Sequence, residues 1–170
     1  DNTLPVLGFG TQAVDGELDG YPDLIVTNGH VDDHRAYNRE YKMSPQYFRN
    51  LGHGRFEEVS ADTIGPFFQG EYLGRGMARL DWNRDGREDV VISHLDAPAA
   101  LLMNTTERVG HFLAVKLVGT VSSRDAIGTS VLLESPGRVL MRQMTAGAGY
   151  QASNQRLLVF GLGNETNIDR

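Results

Sequence analysis

The chain contains no cysteine, no long apolar run and no excess of basic residues. The absence of cysteine excludes disulfides, thiolate metal sites and a cysteine nucleophile. No stretch reaches the roughly 18 apolar residues that a membrane-spanning helix needs. Sixteen Lys and Arg stand against 22 Asp and Glu, a net charge of −6, and no basic cluster indicates a nucleic-acid surface. We therefore expect an acidic protein with no membrane span and no nucleic-acid partner.

Two nine-residue segments of similar sequence hold many of the acidic residues. We call residues 15–23 the first acidic loop and residues 81–89 the second acidic loop. Both follow the pattern D-x-[DNE]-x-D-G-x-x-D, and each precedes an apolar, β-branched run. Oxygen-bearing side chains at alternate positions, a glycine at the sixth and an acid at the ninth are typical of a loop that wraps around a hard cation. Calcium suits this pattern best, because it takes about six to eight oxygen ligands in a flexible shell.

The predicted ligands are the side chains at positions 1, 3, 5 and 9 of each loop and the backbone carbonyl at position 7. With one Ca²⁺ per loop, and at most two in all, the ligands are Asp15, Glu17, Asp19, Tyr21 and Asp23, and Asp81, Asn83, Asp85, Arg87 and Asp89. Neither loop is an EF-hand, because Val26 and Ile92 replace the bidentate Glu of position 12. The long side chain of Glu17 makes the second loop the better candidate. The alternative is a tight turn rich in Asp and Gly.

The two loops belong to a repeat with an offset of 66 residues (81 − 15 = 66). Short strand-like runs separated by Gly, Asn and Pro predict an all-β fold built from propeller blades or a similar array. Residues 47–50 and 101–104 are expected to be equivalent strands that end in Asn, and short helical turns are expected around residues 61–68. The repeat continues in paired glycines at 8 and 74, 10 and 76, and 20 and 86.

From about His111 the pattern changes to unrelated strand-like runs. We predict two domains, with the repeats in residues 1–108 and a second β domain in residues 109–170. Each run in the second domain is bounded by Gly, Pro, Ser or Asn. The predicted strands cover residues 112–118, 127–133, 138–144 and 157–160.

The loops and their flanks resemble FG-GAP/VCBS-type repeats, and the second half is similar to the ASPIC/UnbV domain. The resemblance of the second half lies in residues 111–119, 123–128, 147–153 and 160–163. It implies two calcium-containing propeller-type blades followed by a small β-sheet module. Phe112, Ser123 and Thr129 depart from the family pattern, and the usual continuation after Phe160–Gly163 is missing. We therefore expect a piece of a longer protein, truncated in its second domain and lacking the signal peptide.

Two further segments have alternative interpretations. Asn28–His34 gathers His30, His34 and two Asp, which suggests either a transition-metal or catalytic centre or an exposed polar loop. The stretch that follows is an expected ligand- or partner-contacting surface, or else an insertion that packs on a neighbouring blade. Its aromatic and basic residues are Tyr37, Tyr41 and Tyr47, with Arg35, Arg39 and Lys42.

The expected function is that of a non-enzymatic, calcium-binding adhesion or recognition module of an exported protein, with a structural role for calcium. We expect it to act outside the cell, in the periplasm or at the cell surface, on a protein or carbohydrate ligand. One alternative is an enzyme or biosynthesis-accessory domain centred on His30–His34. Another is self-association, because two blades cannot close a propeller and would leave sheet edges exposed.

Overall fold

The computed structural model describes residues 5–170, which form eleven strands and very little helix. The only α-helix among these residues, α1, covers Ala61–Ile64, and short 3₁₀ turns cover Arg35–Tyr37 and Pro66–Gln69. None of these helices is long and apolar enough to cross a membrane. The predictions of an all-β fold and of helical turns around residues 61–68 are confirmed. The strands are β1 Gly8–Val14, β2 Asp23–Asn28, β3 Gln46–Asn50, β4 Phe56–Glu58, β5 Gly74–Leu80, β6 Asp89–His94, β7 Ala100–Leu102, β8 His111–Val115, β9 Ser130–Ser135, β10 Arg138–Gln143 and β11 Leu158–Gly163.

The first two sheets are antiparallel meanders that repeat each other. The first sheet has the order β1-β2-β3-β4 and the second has the order β5-β6-β7. Each contains an irregular step at its start, between Gly8 and Thr11 in one sheet and between Gly74 and Met77 in the other. In both sheets an acidic loop joins the first two strands. The 66-residue offset therefore describes two equivalent blade-type sheets.

The third strand of each sheet lies outside this offset because the preceding connection differs in length. Residues 29–45 join β2 to β3, whereas residues 95–99 join β6 to β7. These connections contain 17 and 5 residues, and the difference of 12 converts the offset of 66 into 54 (104 − 50 = 54). Asn50 and Asn104 are therefore equivalent residues, as the expectation for strands ending in Asn requires.

The two blade-type sheets pack face to face around one apolar core. Val14 and Ile25 from the first sheet meet Met77, Val90 and Ile92 from the second, and Phe68 closes the core from the connecting segment. Gly10 allows β1 and β5 to approach, because a Cβ there would lie 2.6 Å from the Arg75 carbonyl oxygen. Burial of these β-branched and long apolar side chains stabilises the pair of sheets.

The remaining strands form two separate two-stranded antiparallel sheets. Strand β9 pairs with β10, and β8 pairs with β11 across a long sequence separation. Their second apolar core is centred on Phe160, which is fully buried. The other buried members are Leu133, Leu140, Met144, Leu158 and Leu162. Strand β8 ends at Val115 and β9 begins at Ser130, so the predicted strands over 112–118 and 127–133 are each displaced by a few residues.

Candidate calcium loops and their surroundings

The two acidic loops have the same backbone scaffold. Position 4 adopts the left-handed conformation in both, with φ of 57° at Leu18 and 63° at Arg84. Position 6 is a glycine with φ of 89° at Gly20 and 86° at Gly86, a conformation that glycine adopts without steric cost. The backbone amides of positions 5 and 6 consequently point back towards the side chain of position 1.

The carboxylate at position 1 accepts both of these amides. Asp15 accepts hydrogen bonds from the amides of Asp19 at 2.9 Å and Gly20 at 2.8 Å. Asp81 accepts the equivalent bonds from residues 85 and 86, at 3.1 and 3.0 Å. Each oxygen retains a second lone pair, since a carboxylate has about four acceptor sites. The first acid of each loop therefore holds the turn closed while keeping acceptor capacity for a cation.

The carboxylate at position 9 ties each loop to the third strand of its sheet. Asp23 accepts the backbone amide of Asn50 at 2.7 Å, and Asp89 accepts that of Asn104 at 2.8 Å. Each Asn side chain then accepts a backbone amide two residues further on. The sequence predicted these Asn residues as equivalent strand ends but gave no indication of this role, because the bonds to Asp23 and Asp89 are made by backbone amides.

The first acidic loop concentrates carboxylates in a buried position. Burial raises the pKa of the Asp15 carboxyl to about 6. Burial and then the charge of Asp23 raise the pKa of Glu17, while the ion pair between Glu17 and Arg49 opposes that rise. The Tyr47 hydroxyl donates a hydrogen bond to Asp23 at 2.5 Å. The guanidinium groups of Arg49 and Arg142 oppose the rise in pKa at Glu17 and Asp15, respectively. The four carboxyl groups of the loop outnumber these two cations, and this excess of negative charge suits a cation.

The second acidic loop is more exposed and is partly neutralised from within. Arg87 forms an ion pair with Asp85, and its hydrogen bonds lower the pKa of that carboxyl to about 2. Asn83 donates its side-chain amide to the same Asp85 carboxylate at 2.8 Å. Trp82 is 65% exposed. A cation bound at this loop would compete with Arg87 for the acid at position 5.

The predicted ligands do not form a preassembled metal centre in either loop. Across residues 5–170, no group of three or more His, Asp and Glu side chains is arranged to hold a metal ion. The donors are nonetheless carboxylate, amide and carbonyl oxygens, which are the ligands that a hard cation prefers. Binding would therefore require the side chains at positions 3 and 5 to turn inward on a backbone that is already curved.

The first acidic loop is also the point where the C-terminal strands attach to the blades. The backbone carbonyls of residues 16–19 all accept hydrogen bonds from residues that come after β7 in the chain. The donors are Asn104 to Gly16 at 3.0 Å, Gly110 to Glu17 at 2.8 Å, Gly163 to Leu18 at 2.8 Å, and the Arg138 guanidinium to Asp19 at 2.9 Å. Leu18 is almost fully buried in this contact. Sequence spacing gives no signal for such bonds, because they use backbone atoms.

Position 8 of the second acidic loop contributes a buried acid that was not among the predicted ligands. Glu88 accepts the backbone amide of Asp15 at 3.3 Å and forms an ion pair with Arg79 at 2.6 Å. Burial raises the pKa of Glu88 although the charge of Arg79 opposes it. Glu88 therefore links the second loop to the first, and its role is to join the two sheets.

The segment from His30 to His34 is an exposed loop with local contacts. The two imidazole rings meet edge to face with centroids 5.0 Å apart, and His30 Nδ1 accepts the backbone amide of Asp32 at 3.1 Å. Asp33 is engaged by Arg35 at 2.6 Å. Within residues 5–170, the His and Asp side chains of this loop do not form a group arranged to hold a metal ion.

The aromatic and basic stretch that follows is divided between two environments. Tyr37 is 79% exposed, whereas the guanidinium of Arg35 lies 5.8 Å from the centre of the Tyr41 ring. Lys42 pairs at 2.5 Å with Asp96 of the connection between β6 and β7. The placement of Tyr47 in this exposed surface is wrong, because Tyr47 lies in β3 and packs against the core of the blades.

Comparison with known proteins agrees with this architecture. Residues 15–92 match the family described as FG-GAP-like repeat, and residues 119–170 match the family described as ASPIC and UnbV. The chain is also similar to cartilage acidic protein 1 of Xenopus tropicalis, with 30% identity over 95 residues. That alignment covers 55% of this chain and 13% of the relative. The resemblance drawn from the sequence is confirmed.

Proposed function

We propose that this chain, in which FG-GAP-like repeats precede an ASPIC and UnbV domain, is a calcium-stabilised, non-enzymatic recognition module of an exported protein. The observation that carries the proposal is the shared scaffold of the two acidic loops. In both, the acids at positions 1 and 9 fix the backbone of a loop that also carries the remaining predicted ligands. Repeats of this type and a cartilage protein relative also support an extracellular location.

The two loops are unequal candidates, and their surroundings favour the first. Asp15, Glu17 and Asp23 lie close together with incomplete neutralisation, whereas Asp85 of the second loop is already paired with Arg87. Asp15, Glu17, Asp19 and Asp23 would supply side-chain oxygens to the ion, and Tyr21 its carbonyl. The ion would supply positive charge that offsets the repulsion among buried carboxylates. This order of affinity is the reverse of that expected from the length of Glu17 alone.

A structural role for calcium follows from what the first loop holds together. Its backbone carbonyls accept hydrogen bonds from Gly110, Gly163 and Arg138, so a rigid loop would fix the C-terminal domain on the blades. An ion that binds only the folded chain at about 100 times its Kd would stabilise it by about 2.7 kcal/mol. A protein or carbohydrate ligand would then bind to the exposed surfaces of the chain, which include the connection between β2 and β3.

Calcium titration by calorimetry, together with thermal unfolding in Ca²⁺ or chelator, tests this proposal. We expect calcium to raise Tm, and Asp23→Asn to reduce that rise more than Asp89→Asn does. These two variants are matched, since both residues occupy position 9 and accept the amide of an equivalent Asn. An unchanged melting curve and no binding heat would contradict calcium binding. Stoichiometric zinc, iron or manganese in the purified protein, lost on replacing His30 and His34, would favour the enzyme instead.

A further inference from the structure

The face of the second sheet that contacts the C-terminal domain is equivalent to the face of the first sheet that packs against the second sheet. At the 66-residue offset, Gly10 corresponds to Gly76 and Thr27 corresponds to Ser93. A Cβ on Gly10 would lie 2.6 Å from the carbonyl oxygen of Arg75 and 2.9 Å from the Thr27 side chain. A Cβ on Gly76 would lie 3.2 Å from the carbonyl oxygen of Tyr150 and 3.1 Å from the Ser93 side chain. The Tyr150 carbonyl thus lies beside β5 in the position equivalent to that of the Arg75 carbonyl beside β1.

The same segment satisfies the open edge of β5. This edge has no strand partner in the described part of the chain, because β5 pairs with β6 alone. Its outward backbone groups belong to alternate residues, and four of them have partners, three supplied by this segment and one by Gln12 of β1. The bonds join the Arg79 amide to Asn154 at 2.8 Å, the Arg79 carbonyl to the Gln155 amide at 3.0 Å, the Asp81 amide to Gln155 at 2.8 Å and the Met77 carbonyl to Gln12 at 2.7 Å.

The buried side chain of Gln12 connects this segment to both inner strands. From β1, its amide nitrogen donates to the Met77 carbonyl of β5 and to the Ala148 carbonyl at 2.5 Å. Its oxygen accepts the side-chain amide of Asn154 at 3.0 Å. The segment is therefore held in place by directed hydrogen bonds, as a specific contact requires.

From these contacts we propose that residues 147–155 form a cap that ends the row of blade-type sheets at β5. The segment occupies the position of the inner strand of a further blade and supplies three of the four hydrogen bonds described along the free edge. Unpaired strand edges promote association between chains, and natural proteins cover them. The occupant that the cap excludes is a blade-type sheet of a second copy of this chain. This inference is independent of calcium.

The second copy is the natural occupant because the two sheets present complementary faces. Val14 and Ile25 of the first sheet are buried against the second sheet, and their equivalents Leu80 and Val91 are only partly buried. Conversely, Val90 and Ile92 are buried, and their equivalents in the first sheet, Leu24 and Val26, are partly exposed. A head-to-tail contact between copies would pair the two partly exposed faces and repeat the contact already present.

The test weakens the cap in the full chain with the double substitution Asn154→Ala and Gln155→Ala. We expect the mass from light scattering at micromolar concentration to rise to about twice the wild-type value or beyond, because the free faces join head to tail. Adding Val91→Lys should restore the wild-type mass by placing a charge in the new contact. Adding Leu132→Lys, on the exposed face of the β9–β10 hairpin, should leave the higher mass unchanged.

Two outcomes of the mass measurement overturn the proposal. A folded double variant that keeps the wild-type mass overturns it, as does association that Val91→Lys leaves intact. Gln143→Ala with Asn164→Ala is the matched control, since it removes two amide side chains away from β5 and should leave the mass unchanged. If the double variant does not fold, amide hydrogen exchange measured by NMR on the wild-type protein tests the proposal instead. Slow exchange at Arg79 and Asp81, close to that of Ala78 within the ladder, supports the cap, and exchange at unprotected rates overturns it.

Discussion

At the scale of single residues, two glycines of the C-terminal domain and one buried amide determine how the domain meets the blades. Gly161 lies against the Asp15 carboxylate and the backbone of Leu18, where a Cβ would overlap both. Gly163 donates its amide to the Leu18 carbonyl at 2.8 Å. Gln12 joins β1, β5 and the C-terminal cap. These small or polar residues are required by close contact between backbones, and not by local conformation alone.

Gly161→Ala should destabilise the protein by about 1–3 kcal/mol, because the added methyl group overpacks a site with rigid neighbours. Denaturant unfolding followed by circular dichroism measures the change in the free energy of unfolding. Gly147→Ala is the matched control, since the nearest atom to its Cβ would be 3.9 Å away. Equal stability of the two variants would show that the first acidic loop does not press on Gly161.

At the scale of elements, the two acidic loops share one scaffold but have different neighbours. Each loop is the hairpin connection of its sheet, and each is tied by its ninth residue to the end of the third strand. The first loop is enclosed by the C-terminal strands, whereas the second pairs its own Asp85 with Arg87 and leaves Trp82 exposed. Equivalent sequence therefore produces one loop enclosed by the C-terminal strands and one that is partly exposed, although the second loop also contacts that domain through Gly86 beside Phe112 and through the Asp81 amide on Gln155.

Asn104→Ala should lower the free energy of unfolding by about 1–3 kcal/mol, because the Asn104 side chain joins two elements and its removal leaves buried polar groups unpaired. Its oxygen accepts the Thr106 amide at 3.1 Å, and its nitrogen donates to the Gly16 carbonyl at 3.0 Å. Thermal and denaturant unfolding should both report the loss. Asn164→Ala, an amide removed after β11, should change stability by less than about 0.5 kcal/mol; a similar loss in both would contradict the role assigned to Asn104.

At the scale of the whole molecule, two apolar cores are joined through the first acidic loop and through the contacts of residues 147–155 with β1 and β5. One core lies between the blade-type sheets, and the other is centred on Phe160. The Arg138 guanidinium connects them by donating to the Asp19 carbonyl and by lying 5.3 Å from the centre of the Tyr21 ring. This connection predicts that the two cores unfold together.

Unfolding followed by Trp82 fluorescence, which reports on the blades, should coincide with unfolding followed by far-UV circular dichroism. Arg138→Ala should lower both midpoints or separate them, because it removes two hydrogen bonds from one carbonyl and a ring contact. Arg55→Lys, in the exposed turn before β4, serves as the control and should leave the transitions coincident. Separate transitions in the wild-type protein would contradict a cooperative junction.

The sequence alone predicted what depends on local chemistry and on periodicity. Runs of alternating apolar residues bounded by Gly and Asn predicted the β strands, and the 66-residue repeat predicted two equivalent hairpins. Position-specific Asp and Gly residues predicted the closed turns, whose left-handed and glycine conformations the structure shows at positions 4 and 6. The family resemblance of both halves was likewise readable from motifs, because those motifs reflect constraints on each short segment.

Only the tertiary structure decided which atoms from distant segments meet. It removed Tyr47 from the exposed surface and placed its hydroxyl on Asp23. It also revealed that the first acidic loop binds the C-terminal domain through three carbonyls, those of residues 17–19, and that Tyr150 and Gln155 cover β5. Backbone carbonyls and amides are the same in every residue type, so contacts made by them leave almost no trace in the sequence. The two acidic loops are therefore similar in amino-acid sequence, and their different roles arise from the segments that pack against each of them.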